Sequence, residues 1–304
     1  MKRIVVLAVL APLCALAAGP SAMLTGLLAR VPAVPRDAPG AYAQWVDAKG
    51  DLKPGPGFAQ LERDIQATMT APVTRSPANA IAMQYATPEG QAKLKAMTQE
   101  QKMALAMQMQ QAQMAQMSGG GATVVSDNDG ALLRRMQPNP SVIMIRTKLA
   151  DIAPRMGQIE QQWQADDARL DKARDADLAK LPICKSEAGE PSLLSIKGVM
   201  LPYADKHIAL AATYLPKYQA LASEKRALVA QEAKSADDAA AAFNQIGNPM
   251  LRNQMQAVVT GQVANTAADV SLVLGIVETG SKRAAKAVAQ KKQYESQYAA
   301  AKGC

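Results

Sequence analysis

Between residues 192 and 304, apolar side chains recur at a single helical period almost without interruption, and this regularity limits what the chain can become. Ile196, Met200, Tyr203, His207, Leu210, Tyr214, Tyr218, Leu221 and Leu228 stand three, four or seven positions apart. A helix places all of them on one face. Pro202 suits a first helical turn and sets the expected start of regular helix near Leu201. Pro216 is internal and predicts a kink. Gly247-Asn248-Pro249 reads as a turn, because glycine and asparagine accept positive φ and proline cannot continue the helix before it. A second stripe follows, made of Met255, Val259, Val263, Val270, Leu274, Val277, Ala284 and Val288.

Two such arms of roughly 45 to 55 residues, at about 1.5 Å per residue, are each roughly 65 to 80 Å long. An antiparallel return therefore brings Cys304 back to Cys184, just before the first arm. A Cys184–Cys304 disulfide would fasten the two ends and contribute on the order of 4 to 5 kcal/mol by restricting the unfolded chain. Free or intermolecular thiols are the alternative. An oxidising compartment favours the bridge.

The N-terminus points to such a compartment. Lys2 and Arg3 form a short positive region, residues 4–16 are apolar, and Ala15 and Ala17 offer small side chains where signal peptidase reads them. Cleavage is expected between Ala17 and Ala18, with export to a bacterial periplasm. Cys14 leaves with the leader, and losing Lys2 and Arg3 takes the formal charge from +8 to +6.

Residues 141–181 predict another long helix, bent at Pro154. Ile152, Met156, Ile159, Trp163, Leu170 and Ala173 mark its seam, which Asp166 and Asp177 interrupt. Aromatic residues make up only 4% of the chain, so thin seams between helices are expected rather than one thick core. The expected fold class is all-α, with an elongated antiparallel coiled-coil or helical-hairpin body over about 141–302. A looser N-terminal region of short helices and linkers precedes it. The linear division is 1–17 signal peptide, 18–117 short helices with a Pro/Gly-rich connector and a Met/Gln-rich helix, 118–140 flexible linker, and 141–304 long-helix domain.

Within that N-terminal region, residues 31–57 are rich in proline and glycine, and residues 58–69 read as a helix. Thr98 and Gln101 have the spacing of a capping box. Asp127-Asn128-Asp129-Gly130 lacks the full calcium-loop pattern and reads as an Asx turn inside the linker. Met103, Met107, Met109, Met114 and Met117 form the most unusual segment, with no charge after Lys102. Thioethers could bind Cu(I), present an adaptable apolar surface to partners, or fill a helix seam. Met103, Met107 and Met114 share one face, as a seam requires.

Motifs of catalysis are scarce. His207 is the single histidine and falls on the apolar stripe, where a satisfied seam residue is expected rather than a base. There is no G-x-S-x-G, H-E-x-x-H, CxxC or P-loop pattern. Asp237-Asp238 reads as a solvated pair. Lys282, Arg283, Lys286, Lys291 and Lys292 either contact anionic lipid or another acidic envelope surface, or pair with the acidic 141–181 arm. Export argues against a nucleic-acid partner. The sequence thus predicts no enzyme, no cofactor and no resident metal, but a helical binding or scaffold protein of the envelope, with a chaperone-like or assembly role toward a protein partner. The alternative is a soft-metal, Cu(I)-handling protein using 103–117. Seams this poor in large side chains also allow a homo-oligomer.

Overall fold

The computed structural model describes residues 19–70, 97–98, 101, 105, 127–136, 140–183 and 190–303. They contain α1 (Pro20–Arg30), α2 (Ala38–Trp45), α3 (Pro56–Thr70), α4 (Asp127–Met136), α5 (Pro140–Leu178), α6 (Leu193–Gln245) and α7 (Pro249–Gln297). Among the described residues there is no strand; extended backbone pairs only at the isolated bridges Val46–Leu52 and Ile183–Pro191. The fold is all-α, as the periodicity predicts.

The helix starts follow from capping chemistry. Asp37 accepts the Gly40 N–H at 2.5 Å and begins α2. Thr98 and Gln101 form the expected reciprocal box, the Thr98 N–H reaching Gln101 Oε1 at 3.0 Å and the Gln101 N–H reaching Thr98 Oγ1 at 3.3 Å. Helix α6 begins earlier than Leu201. Ser192 accepts the Ser195 N–H at 3.1 Å, and the helix runs unbroken through Pro202 and Pro216, as α5 does through Pro154. All three prolines are exposed, and so are Ala150, Gly198 and Ala212 four residues before them. Water can therefore reach the carbonyls that the rings leave without a donor.

The α6–α7 turn is fastened by side chains. Arg252 donates twice to the Ile246 carbonyl, at 2.6 and 3.1 Å. Asn248 Oδ1 accepts the Leu251 N–H at 3.2 Å. Positive φ plays no part here; among the described residues it occurs at Gly19 and Gly50. Asn248 acts as a cap, with Pro249 in the first helical position.

By contact, the chain groups into two compact units. The first takes Met1–Arg30, Glu62–Arg146 and Val229–Ser271; the second takes Val31–Leu61, Thr147–Leu228 and Leu272–Cys304.

In the first unit, Leu24, Ala233 and Ala267 are buried together, with Met23, Met69 and Val263 against them. A second cluster joins Leu132 of α4 to Ala239, Ala240, Ala242, Ile246, Leu251 and Val259. Residues 127–136, expected within a linker, are therefore helical and anchored. Asp129 is buried and accepts the Gly247 N–H at 3.2 Å, which replaces the expected Asx turn. Asp237 is not a freely solvated acid either. It accepts the Ser21 N–H at 2.9 Å, and also the Ser21 hydroxyl, at the start of α1.

In the second unit, Val31, Val34, Ala38, Ala41 and Trp45 are buried. Arg226 holds the connector by donating to the carbonyls of Val31 at 3.0 Å and Pro32 at 3.1 Å. Helices α6 and α7 run antiparallel here: Leu194 N–H donates to the Lys302 carbonyl at 3.2 Å, and Lys291 meets Asp205 at 2.6 Å. No helix among the described residues is long and apolar enough to cross a membrane.

Candidate functional site

The densest chemistry of the second unit surrounds Trp163 on α5, which is almost completely buried. Tyr214 of α6 stacks on the indole at 5.1 Å and 12°, and Tyr218 meets it edge-on at 6.0 Å. The Arg283 guanidinium of α7 lies 5.0 Å from the ring. Aromatic pairs of this kind add about 0.5 to 1.5 kcal/mol each beyond the area they bury. One indole therefore ties three helices together.

The acids of α5 complete the arrangement. Asp166 accepts the Tyr214 hydroxyl at 2.7 Å, and Asp177 accepts the Tyr203 hydroxyl at 2.7 Å. These aspartates, which the heptad pattern marks as interruptions, are seam partners. Burial, with Asp166 as acceptor, pushes the Tyr214 phenol up to about 12. Burial, with the Glu160 charge nearby, does the same to Tyr218. The Tyr218 hydroxyl is buried without a hydrogen-bond partner. Lys180 and the Tyr203 hydroxyl hold the Asp177 carboxyl below its usual range.

His207 sits between two carboxylates. Its Nδ1 is 3.0 Å from Asp167, and its Nε2 is 3.5 Å from Asp171, close enough for charge attraction but without a hydrogen bond. Asp167 is shared, because Arg283 stands 3.6 Å from it while donating to the Glu160 carbonyl at 3.3 Å. The two imidazole nitrogens face different acids on opposite sides of the ring, so the three groups do not converge on a point where an ion could sit. No group of three or more histidine, cysteine or acidic side chains among the described residues is placed to hold a metal ion. The arrangement joins α5 to α6. His207 is buried on the stripe as its position predicts, but only Nδ1 has a hydrogen-bond partner, so it is not the fully satisfied residue expected.

The basic cluster of α7 is largely engaged within the molecule. Arg283 meets α5 as described, and Lys291 pairs with Asp205 at 2.6 Å. Lys282 pairs with Glu278 and lies 5.4 Å from the Trp45 ring, while Lys292 stands 4.1 Å over Tyr42. Lys286 is exposed. Of the two expected roles, pairing with the acidic arm describes Arg283, while Lys291 and Lys292 find partners on α6 and α2. Residues 1–18, Met103, Met107, Met109, Met114, Met117, Cys184 and Cys304 lie outside the described residues.

Sequence reasoning missed Glu232 and Arg226 and read Asp237 as solvated; the partners of all three lie far away in the chain. A shallow hollow of about 350 Å³ in the first unit, lined by Glu62, Arg63, Ile65, Gln66 and Ser271, gathers no catalytic constellation.

No family model, curated protein or solved structure matches this chain.

Proposed function

We propose that the chain is an exported, helical scaffold of the bacterial envelope that holds a protein partner in an assembly or chaperone-like role. The observation that supports this reading is the disposition of side chains. His207 and Trp163, with Asp166, Asp167 and Asp177 of α5, are spent on neighbouring helices, whereas large apolar side chains stand outward. Ile143 and Met144, adjacent on the first turns of α5, are 56% and 61% exposed. Paired exposed apolar side chains beside polar ones are what a partner surface offers.

In this reading the long helices form an antiparallel coiled coil, the N-terminal leader is removed on export to the periplasm, and Cys184 and Cys304 close the body. The Leu194–Lys302 backbone contact and the Ile183–Pro191 bridge favour the closure, since each lies within a few residues of one cysteine.

The test is photo-crosslinking in intact cells, with the reactive side chain at position 144 and, as control, at the exposed polar position 161. A discrete adduct from 144 alone, lost in Ile143→Ser, is expected. Equal labelling from both positions, or none from either, sinks the reading.

A further inference from the structure

One end of the second unit gathers exposed aliphatic side chains. Ile183, Leu193 and Leu194 are 64%, 54% and 51% exposed. Backbone bonds bring them to one place. Ile183 pairs in an antiparallel bridge with Pro191, two residues before Leu193. The Leu194 N–H donates to the Lys302 carbonyl at 3.2 Å, which sets residue 302 beside the first turn of α6. The end of α5 is tied to α6 by the Tyr203 hydroxyl, which donates to Asp177 at 2.7 Å.

Each aliphatic has a lysine one step away. Lys180 precedes Ile183 by three residues, with its side chain 75% exposed and paired with Asp177 at 2.9 Å. Lys197 follows Leu193 by four residues, on the same face and one turn further along α6. Lys302 is exposed and bonded through its carbonyl to Leu194. Glu190 is an exposed acid at the same end. A lysine at such an offset can keep its ammonium among lipid headgroups while the aliphatic side chain enters the acyl boundary. Lipid phosphates answer the charge. A protein partner fits less well. Residues 180–183, 190–198 and 299–303 contain no tryptophan, tyrosine or arginine, the side chains that anchor protein interfaces, and lysine is depleted at such interfaces.

We propose that this end of the second unit docks on the surface of a membrane containing anionic phospholipid. Ile183, Leu193 and Leu194 enter the acyl boundary, and Lys180, Lys197 and Lys302 meet lipid phosphates. The contact is peripheral, made by side chains at the start of α6 and the loop after α5. It is distinct from the α7 cluster, where Lys282, Arg283 and Lys291 serve contacts within the molecule. The docking does not depend on the scaffold reading, because Ile143 and Met144 belong to the first unit.

The test is co-sedimentation of the full chain with vesicles of phosphatidylcholine holding about 30% phosphatidylglycerol. Binding is expected, and it should weaken as salt is raised. Leu193→Ser with Leu194→Ser should lower the vesicle affinity about ten-fold or more. Lys197→Gln with Lys302→Gln should remove most of the preference for these vesicles over pure phosphatidylcholine. Lys286→Gln, within the α7 cluster, should change nothing. In intact cells, a photoreactive side chain at position 183 should label lipid. No vesicle binding, undiminished binding by the leucine variant, an equal loss in Lys286→Gln, or an adduct from position 183 to protein instead of lipid overturns the proposal.

Discussion

Gly280 of α7 lies so close to Tyr218 of α6 that a β-carbon at position 280 would stand 2.8 Å from the tyrosine Cγ. The atom in the way is the root of the side chain, and the ring beyond it is held against Trp163. The tyrosine cannot swing aside.

Gly280→Ala should therefore destabilise the protein by about 1 to 3 kcal/mol through overpacking, outweighing the helix gain of roughly 1 kcal/mol. Gly275, one and a half turns earlier, has open space where a β-carbon would go. There the helix gain stands alone, and Gly275→Ala should stabilise by up to about 1 kcal/mol. Thermal denaturation of both variants checks the contrast in sign.

Two neighbouring tyrosines should respond oppositely to loss of their hydroxyls. Tyr214→Phe removes a hydrogen bond to a carboxylate, with a cost of about 1.5 to 3 kcal/mol when the acceptor is charged. Tyr218→Phe removes a buried hydroxyl that has no partner and should be neutral or stabilising. Urea unfolding measures both.

Adjacent acids separate in the same way. Asp237→Ala takes the cap from α1 and should cost about 1 kcal/mol, with Asp237→Asn retaining most of it. Asp238, which is exposed, should tolerate alanine within about 0.5 kcal/mol. A denaturation series on the three variants decides.

The pH profile of stability should have a maximum on the acid side of neutrality. Glu232 binds its proton more tightly in the folded state, so its contribution rises as pH falls from neutral toward 4.5. Glu224, held low by its Arg155 fork, and Asp177, held low by Lys180 and Tyr203, act in the opposite sense. Their contributions are lost as pH falls below the ordinary carboxylate range. Glu232→Gln should abolish the rise and leave the fall, as chemical denaturation at stepped pH would show.

The proposed Cys184–Cys304 bridge predicts an intact mass two hydrogen atoms below the reduced value, in protein recovered without reductant. Reduction should then lower stability by about 4 to 5 kcal/mol. A thiol-reactive label that modifies both cysteines before reduction contradicts the bridge.

The long helices were legible because their apolar stripes persist over many turns, and Tyr203, His207, Tyr214, Tyr218, Leu221 and Leu228 are buried as the spacing requires. The acids were less legible. Asp177 and Asp166 look like breaks in a seam until the tyrosines 26 and 48 residues away are brought to them. Asp237 looks solvated because the helix it caps begins 216 residues earlier. Helix α4 was hidden by a turn-like composition, its stability coming from Leu132 against the distant Ile246 region rather than from local propensity. The early start of α6 did have a local signal, Ser192 three residues before Ser195.

The side-chain fastening of the Ile246–Arg252 turn bears on how the molecule reaches its fold. Contacts between α6 and α7 widen in sequence separation away from that turn, from 27 residues at Ser235–Gln262 to 86 at Asp205–Lys291. Each pairing made leaves only a short further loop to close, and the entropic cost of loop closure grows slowly with length. The two helices can therefore zip from a local nucleus outward, so the most distant contacts form without a long-range search.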